Sequence, residues 1–287
     1  MDTIRSLQSV ASPALDALAL AVTNLGHEFS YVALLVIAYL VLDPQRGRRL
    51  GIYVLIAFYL NGLLKGAFDT ARPYLLDPSV LRSHAAELTG PGAGFPSGHA
   101  QGAATFWGIG ALYVRRGWFT VLALLLIALI SLSRLYLGVH LPVDVVAGLA
   151  LGALLVALAP LLDRLHLSTS VPVQIAAGIA LPLLLHLFLP TPDSGLILGG
   201  LAAFLTAPLI LAYEPPEGWG RRVFVGVLGL LLVFTGLFGS SAILPEALKR
   251  NPFGDFARYL LLAYVGLLIA PAIARALFGR ALFGAVR

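Results

Sequence analysis

Three short clusters of ionisable and polar residues interrupt the long apolar stretches of this chain. They combine cations, serines, imidazoles and a carboxylate, the groups that a phosphoryl transfer needs. Its transition state spreads negative charge over three oxygens, so cationic and amide donors must surround it while a nucleophile attacks in line. The clusters therefore predict a site for phosphate chemistry. Their members are, in chain order, Lys65, Arg72 and Pro73, then Pro96, Ser97, Gly98 and His99, then Ser133, Arg134, His140 and Asp144.

The third cluster offers a nucleophile. His140 and Asp144 are four residues apart, and Pro142 suits the first turn of a helix, so both side chains are expected at one helix start. At this spacing the carboxylate can accept a hydrogen bond from one ring nitrogen and leave the other nitrogen free to attack. Arg134 ends the preceding apolar stretch and can approach the same place. A purely structural His/Asp pair is the alternative interpretation.

The first two clusters can supply donors and an acid. Lys65 and Arg72 are two helical turns apart, so they share one helix face if the helix continues past Lys65. Ser97 directly precedes an apolar run and predicts an N-cap, and the free amides of a helix start bind anions. His99 becomes the candidate acid for the leaving oxygen. Both clusters also have a simpler interpretation. The first can be two interfacial cations, and the second can be an ordinary helix cap with an interfacial histidine.

The elements that must position these clusters are membrane helices. Hydrophobic residues make up 59% of the chain and charged residues 11%, with a mean hydropathy of +0.91, whereas soluble proteins are about one quarter charged. Apolar stretches near the roughly 20 residues that cross a bilayer recur along the whole length. The predicted fold class is an all-α, polytopic transmembrane helical bundle. Its ten predicted segments are 7–25, 29–42, 50–66, 99–114, 118–136, 142–162, 171–190, 195–213, 222–243 and 256–277.

Three parts of this assignment have a more specific prediction. The first segment is the weakest, because Pro13, Asp16 and Asn24 interrupt it, and it can lie partly in the membrane interface instead of crossing. His186, in the seventh segment, is predicted to be a packed or interfacial histidine. The proline-rich stretch 213–219 is predicted to be a cytoplasmic connection.

The positive charges fall unevenly between the loops. Twelve of the 19 lysines and arginines lie on one predicted face and seven on the other, and three of those seven belong to the clusters. This bias predicts a cell-membrane protein with cytoplasmic N- and C-termini, whose clusters face the extracytoplasmic side. Asp2 and Asp16 near the start argue against a cleaved signal peptide. The arginines form no long stripe, so nucleic acid is not an expected partner, and without cysteine there are no disulfides.

Together the clusters resemble the three motifs of the type 2 phosphatidic acid phosphatase superfamily. Those motifs are a lysine with six residues before Arg-Pro, then Pro-Ser-Gly-His, then Ser-Arg with five residues before His and three more before Asp, and this sequence matches each spacing. The resemblance implies a six-helix core at about 7–162. We therefore expect a phosphatase domain at 1–165 and a C-terminal extension of four transmembrane helices at 166–287, which the resemblance to the core does not cover.

The resemblance also implies a role for each residue. It implies a phosphohistidine intermediate on His140, oriented by Asp144, and His99 as acid to the leaving group. It further implies that neither a metal nor another cofactor takes part. The sequence agrees, because it offers no carboxylate cluster or His/Cys pattern suited to a metal. The residues expected to hold phosphate are Lys65, Arg72, Ser97, Gly98 and Arg134.

The expected function is an integral membrane phosphatase that hydrolyses the terminal phosphate of a lipid phosphate or diphosphate. Polyprenyl diphosphate, phosphatidate-type lipids and sphingoid-base phosphates all fit, and membrane lipids surround the protein. A homo-oligomer is compatible with the sequence. One alternative is a lipid or phosphosugar transporter that binds phosphate without cleaving it. Another is a vanadate-dependent haloperoxidase, because those enzymes resemble the phosphatases at the same motifs, although they are generally soluble.

Overall fold

The computed structural model describes residues 1–83, 85, 92–164 and 168–278, and over these residues its regular secondary structure is entirely helical. The helices are α1 (Asp2–Gln8), α2 (Pro13–Asn24), α3 (Glu28–Ile37, continued by a π-helical turn, Ala38–Leu42), α4 (Pro44–Phe68), α5 (Pro73–Leu76), α6 (Gly98–Val114), α7 (Gly117–Tyr136), α8 (Pro142–Leu162), α9 (Val171–Phe188), α10 (Ser194–Ile210), α11 (Trp219–Ile243), α12 (Glu246–Arg250), α13 (Pro252–Tyr264, continued by a π-helical turn, Val265–Ile269) and α14 (Ala270–Phe278).

The all-α, polytopic prediction is confirmed. Within the described ranges, six helical stretches are long and apolar enough to cross a membrane, or seven if α2 and α3 form one span. α10 is a shorter apolar helix. Each of the last nine predicted segments contains a helix, whereas the first, 7–25, does not form a single one.

The first predicted segment is broken between α1 and α2. Ser12 caps α2 by accepting a hydrogen bond from the Leu15 N–H at 3.3 Å, and Pro13 occupies the first turn. The 12 residues of α2 span about 18 Å, too little for a hydrocarbon core of about 30 Å. α2 instead joins α3 across a bend of 52°. The two helices together are long enough to form one broken span.

The N-terminal helix α1 lies beside the segment that follows α4. Arg5 forms a salt bridge of 2.7 Å with Asp77. The Gln8 side-chain amide donates to the backbone oxygens of Val80 and Tyr136, both at 2.7 Å. α1 therefore lies in unit 1 on the same side as the C-terminal ends of α4 and α7. This differs from the predicted topology, in which 7–25 crosses the membrane and separates the N-terminus from that side.

The chain packs as two compact units. Unit 1 contains Met1–Tyr31 and Leu60–Arg164, and unit 2 contains Val32–Tyr59 and Leu165–Arg287. All three clusters lie in unit 1. The predicted domain boundary at 165/166 stays a prediction, since the packing also groups 32–59 with the C-terminal helices.

In unit 1, α6 packs directly on α8. A methyl group at Gly148 would lie 2.5 Å from the backbone oxygen of Ser97, so only glycine permits this approach. The Ser97 N–H in turn donates to the backbone oxygen of Asp144 at 2.9 Å. This contact brings the second cluster against the third.

In unit 2, polar side chains bind backbone oxygens at helix ends and breaks. Pro208 lies inside α10 and has no N–H, so the Phe204 oxygen loses its helical donor. Arg48 replaces it, donating from Nε to Phe204 at 3.0 Å and from Nη2 to Leu205 at 3.1 Å. The Tyr59 hydroxyl likewise donates to the Leu189 oxygen at 2.9 Å, just after α9.

Candidate active site

The turn between α7 and α8 carries His140. Its Nδ1 lies 3.4 Å from Oδ2 of Asp144, in the first turn of α8. The same carboxylate oxygen accepts a hydrogen bond from the Leu141 N–H at 2.8 Å, which fixes its position. On the opposite side of the ring, Nε2 lies 3.3 Å from Nη1 of Arg72. The imidazole therefore has a carboxylate at one nitrogen and a cation at the other.

Burial and charge both favour the neutral imidazole at His140. The side chain is 2% exposed. Burial lowers the pKa of His140 well below its usual value, and the cations Arg134, Arg72 and Lys65 lower it further. Only the neutral ring has a free electron pair for attack. The surroundings therefore favour the neutral form of His140 at neutral pH.

The first cluster enters the site from α4 and from the segment after it. α4 ends at Phe68, three residues beyond Lys65. Arg72 has an extended backbone and directly precedes α5. The two cations therefore reach the site from different elements, and not from one helix face as the seven-residue spacing suggested.

Both cations of the first cluster donate to the segment that precedes Pro96. Lys65 Nζ donates to the Ala93 oxygen at 2.5 Å, and Arg72 Nε donates to the Gly92 oxygen at 2.9 Å. Arg72 Nη1 also lies 3.3 Å from the Val139 oxygen. An ammonium has three N–H groups and a guanidinium has five, so these contacts leave donors on both side chains for an anion.

Arg134 reaches the site from the last turn of α7. It is fully buried, and its Nη1 donates to the Thr23 hydroxyl oxygen at 2.5 Å. Its backbone oxygen accepts a hydrogen bond from the Val139 N–H at 3.2 Å. Since Val139 precedes His140, this bond ties the turn to the helix that carries Arg134.

The second cluster forms the start of α6, as predicted. Ser97 is the N-cap, with its hydroxyl oxygen 3.5 Å from the Ala100 N–H, and Gly98 is the first helical residue. Ser97 is fully buried. Its backbone bond to Asp144 places the free amides of this helix start beside the third cluster.

His99 follows in the first turn of α6. It lies within electrostatic reach of Arg134, Arg72 and Lys65, and it interacts in the same way with His140. The predicted acid and the predicted nucleophile therefore share one group of cations.

Sequence reasoning missed Asn61, which holds the second cluster in place. Its side-chain amide donates to the Gln101 side-chain oxygen at 2.8 Å and to the Pro96 oxygen at 3.3 Å. Asn61 is 5% exposed and lies one turn before Lys65 on α4. An isolated amide on an apolar membrane helix is the signal that could have found it.

Unit 1 thus brings together all eight predicted site residues around the turn before α8. Over the residues that the structure describes, no group of three or more His, Cys, Asp and Glu side chains could hold a metal ion. The eight residues are Lys65, Arg72, Ser97, Gly98, His99, Arg134, His140 and Asp144.

The fold and this site define a class: a polytopic helical membrane protein that can hold an anion between buried cations and two imidazoles. Residues 46–167 match the model of the PAP2 superfamily, so this part of the chain is similar to that superfamily.

The comparisons with individual proteins agree with this assignment. The chain is 30% identical over 144 residues to an undecaprenyl-diphosphatase from Sulfolobus acidocaldarius, covering 48% of this chain and 66% of that protein. It is 29% identical over 140 residues to mouse (Mus musculus) sphingosine-1-phosphate phosphatase 2, covering 47% of this chain and 38% of that protein.

A solved structure resembles part of this fold. It is a transmembrane PAP2-type phosphatidylglycerolphosphate phosphatase from Bacillus subtilis, with 24% sequence identity and a TM-score of 0.49. The match covers 59% of this chain and 86% of that one.

Proposed function

We propose that this protein is a membrane phosphatase that removes the terminal phosphate from a lipid phosphate or diphosphate. The observation that carries the proposal is the arrangement around His140. Asp144 lies beside one ring nitrogen and the Arg72 guanidinium beside the other, so the same cation that borders the attacking atom can bind the oxygens of a phosphate under attack.

In the proposed reaction, Nε2 of His140 attacks phosphorus, forming the N–P bond while the bond from phosphorus to the lipid oxygen breaks. His99 gives a proton to that oxygen as it leaves. Water then attacks the phosphohistidine, with His99 taking a proton from it, and releases inorganic phosphate with neutral His140. No metal or other cofactor takes part in these steps.

The phosphate oxygens would be held by the cations and by the start of α6. The Arg72 and Arg134 guanidinium groups can each bind two oxygens, and Lys65 adds a point charge. The amides beside Ser97 and Gly98 add neutral donors at a positive helix end.

A lipid substrate is supported by the apolar surface beside the clusters. Phe68, three residues after Lys65, is 56% exposed. It packs edge-to-face against Phe95, with the two ring centroids 4.9 Å apart. Val143 and Val146, at the start of α8, are 59% and 63% exposed. Such side chains suit contact with an acyl or isoprenoid tail while the phosphate lies in the polar site.

A phosphate-release assay on detergent-purified protein tests the function. Polyprenyl diphosphate, phosphatidate, phosphatidylglycerol phosphate and sphingosine-1-phosphate should be compared with glucose-6-phosphate. We expect at least one lipid to exceed glucose-6-phosphate by about 100-fold or more, a difference of about 2.7 kcal/mol. We also expect an acid-labile phosphoryl group on His140 in a rapid quench with labelled substrate. Lipid flux in proteoliposomes without phosphate release would instead identify a transporter, and halide oxidation with vanadate would identify a haloperoxidase.

We further propose that the site faces the extracytoplasmic side of the cell membrane, with the C-terminus cytoplasmic. The contacts of α1 favour an N-terminus on the same side as the site. Arg5 then changes sides, and outside the three cluster cations the count becomes 11 positive residues against five. The bias therefore keeps its direction.

The natural lack of cysteine makes this topology testable. On intact cells, a membrane-impermeant maleimide should label Ser9→Cys and Asp77→Cys, and it should label Arg116→Cys only after permeabilisation. The reverse pattern would place the site in the cytoplasm. If the reagent labelled Asp77→Cys but not Ser9→Cys on intact cells, the two residues would lie on opposite sides, as in the topology in which 7–25 crosses the membrane.

A further inference from the structure

One buried side chain outside the three clusters contacts a predicted phosphate-holding residue. Thr23, near the end of α2, accepts a hydrogen bond from Arg134 Nη1 through its hydroxyl oxygen. Thr23 is 1% exposed and Arg134 is fully buried, so bulk water cannot take the place of either partner. Thr23 precedes residue 46, where the match to the superfamily begins.

The same part of the chain contacts the site at a second point. A methyl group at Gly26 would lie 3.0 Å from Cδ2 of His99 and 2.9 Å from Cγ2 of Ile130. The Gly26 N–H donates to the Thr23 backbone oxygen at 2.9 Å, so the two contacts belong to one turn. The end of α2 thus packs against the predicted acid while it binds the arginine.

The other end of α2 is anchored to α7. The Asp16 carboxylate accepts hydrogen bonds from Arg82 at 2.8 and 3.2 Å, and from the Tyr136 hydroxyl at 2.6 Å. Tyr136 lies two residues after Arg134 on α7. These bonds fix α2 along the helix that carries Arg134, so Thr23 is held against its guanidinium.

We infer that Thr23 is a positioning residue, whose hydroxyl oxygen orients the Arg134 guanidinium toward the transferred phosphate. A guanidinium presents its donors in a rigid plane, so fixing one N–H fixes the direction of the others. A neutral acceptor does this without cancelling the positive charge, whereas a carboxylate there would compete with phosphate. The inference deepens the proposed function and rests on it.

The test compares Thr23→Val, which keeps the shape but loses the acceptor, with Thr23→Ser, which keeps the acceptor. Ser131→Ala is the matched control: Ser131 lies on α7, three residues before Arg134, and its buried hydroxyl has no hydrogen-bond partner among the described residues. Orthovanadate serves as the phosphate mimic. Its affinity is measured twice, as inhibition of phosphate release and as the rise it causes in the thermal unfolding midpoint.

Thr23→Val should weaken orthovanadate binding and lower kcat/KM by about tenfold or more, as expected when a buried charged donor loses its partner. In Thr23→Ser both quantities should stay within about threefold of wild type. In Ser131→Ala both should equal those of wild type. Wild-type affinity for orthovanadate in Thr23→Val would overturn the inference. So would an equal loss in Thr23→Ser, because the hydroxyl would then not be the determinant.

The unfolding measurement separates this inference from the proposed function. If wild-type protein binds orthovanadate but releases phosphate from no substrate in the panel, the proposed phosphatase activity fails. A weaker orthovanadate response in Thr23→Val would still support the positioning of Arg134 by Thr23 in that case, and an unchanged response would overturn it.

Discussion

In unit 1 buried charged side chains contact one another, whereas in unit 2 several polar side chains bind backbone oxygens at helix ends and breaks. Arg72, His140 and Asp144 form a continuous set of contacts. Arg48 and Tyr59 each bind backbone oxygens instead. Both patterns obey the rule that polar groups in a membrane must be satisfied inside the protein.

The comparison shows what distinguishes a candidate site in an apolar chain. Arg48 offsets a donor that Pro208 lacks, so it compensates for a local backbone defect. No such defect accounts for the convergence of Lys65, Arg72 and Arg134, which repel one another at close range. A bound anion would offset that repulsion. Mutual proximity of like charges, and not burial of a charge alone, is therefore what distinguishes the candidate site in unit 1.

The largest expected effect comes from replacing one histidine in each unit by alanine and comparing the two variants. His140→Ala should lower phosphate release by about 1,000-fold or more, because it removes the group that forms the covalent intermediate. His186→Ala should leave activity per folded molecule within about threefold and reduce stability instead. In the structure His186 Nδ1 lies 2.9 Å from the Ser194 hydroxyl and Nε2 lies 3.0 Å from the Pro252 oxygen, so it links three helices of unit 2.

The measurement is phosphate release normalised to the monodisperse fraction from size-exclusion chromatography, with the thermal midpoint recorded for both variants. Full activity in His140→Ala would remove the proposed mechanism. A loss of activity in His186→Ala as large as that in His140→Ala would contradict the contrast between the units, since it would give a helix-linking histidine a part in the chemistry.

The sequence predicted most of the site because its key pairs are local. His140 and Asp144 are one helical turn apart, and Ser97 directly precedes the helix that it caps, so pattern alone places these groups. The packed role predicted for His186 also agrees with its contacts, and the site roles themselves stay predictions.

What the sequence could not predict depends on distant contacts and on helix length. Thr23 and Arg134 are 111 residues apart in the chain, and Asn61 and Gln101 are 40 apart, so no periodic pattern pairs them. The prediction of one helix over 7–25 was wrong. Hydropathy is averaged over a window of residues, so the break before Pro13 does not interrupt the apolar signal. After that break only 12 residues remain in α2, and a helix of that length does not cross a bilayer alone.

The smaller predicted effect concerns Arg48, the counterpart in unit 2 of the buried arginines in unit 1. Arg48→Met should destabilise the protein by about 1–3 kcal/mol, because it leaves the Phe204 oxygen buried without a donor. Activity per folded molecule should stay unchanged. The measurement is the thermal or denaturant midpoint in detergent, with phosphate release recorded on the folded fraction.

Pro208→Ala supplies the control that identifies the cause. Alanine restores an N–H four residues after Phe204, so the helix can satisfy that oxygen itself, and Arg48→Met should then cost less in the Pro208→Ala background than alone. A coupling of at least about 0.5 kcal/mol would be a measurable interaction between the two sites. If the two substitutions were instead additive, Arg48 would stabilise unit 2 by packing or charge, and not by binding the oxygen that Pro208 leaves without a donor.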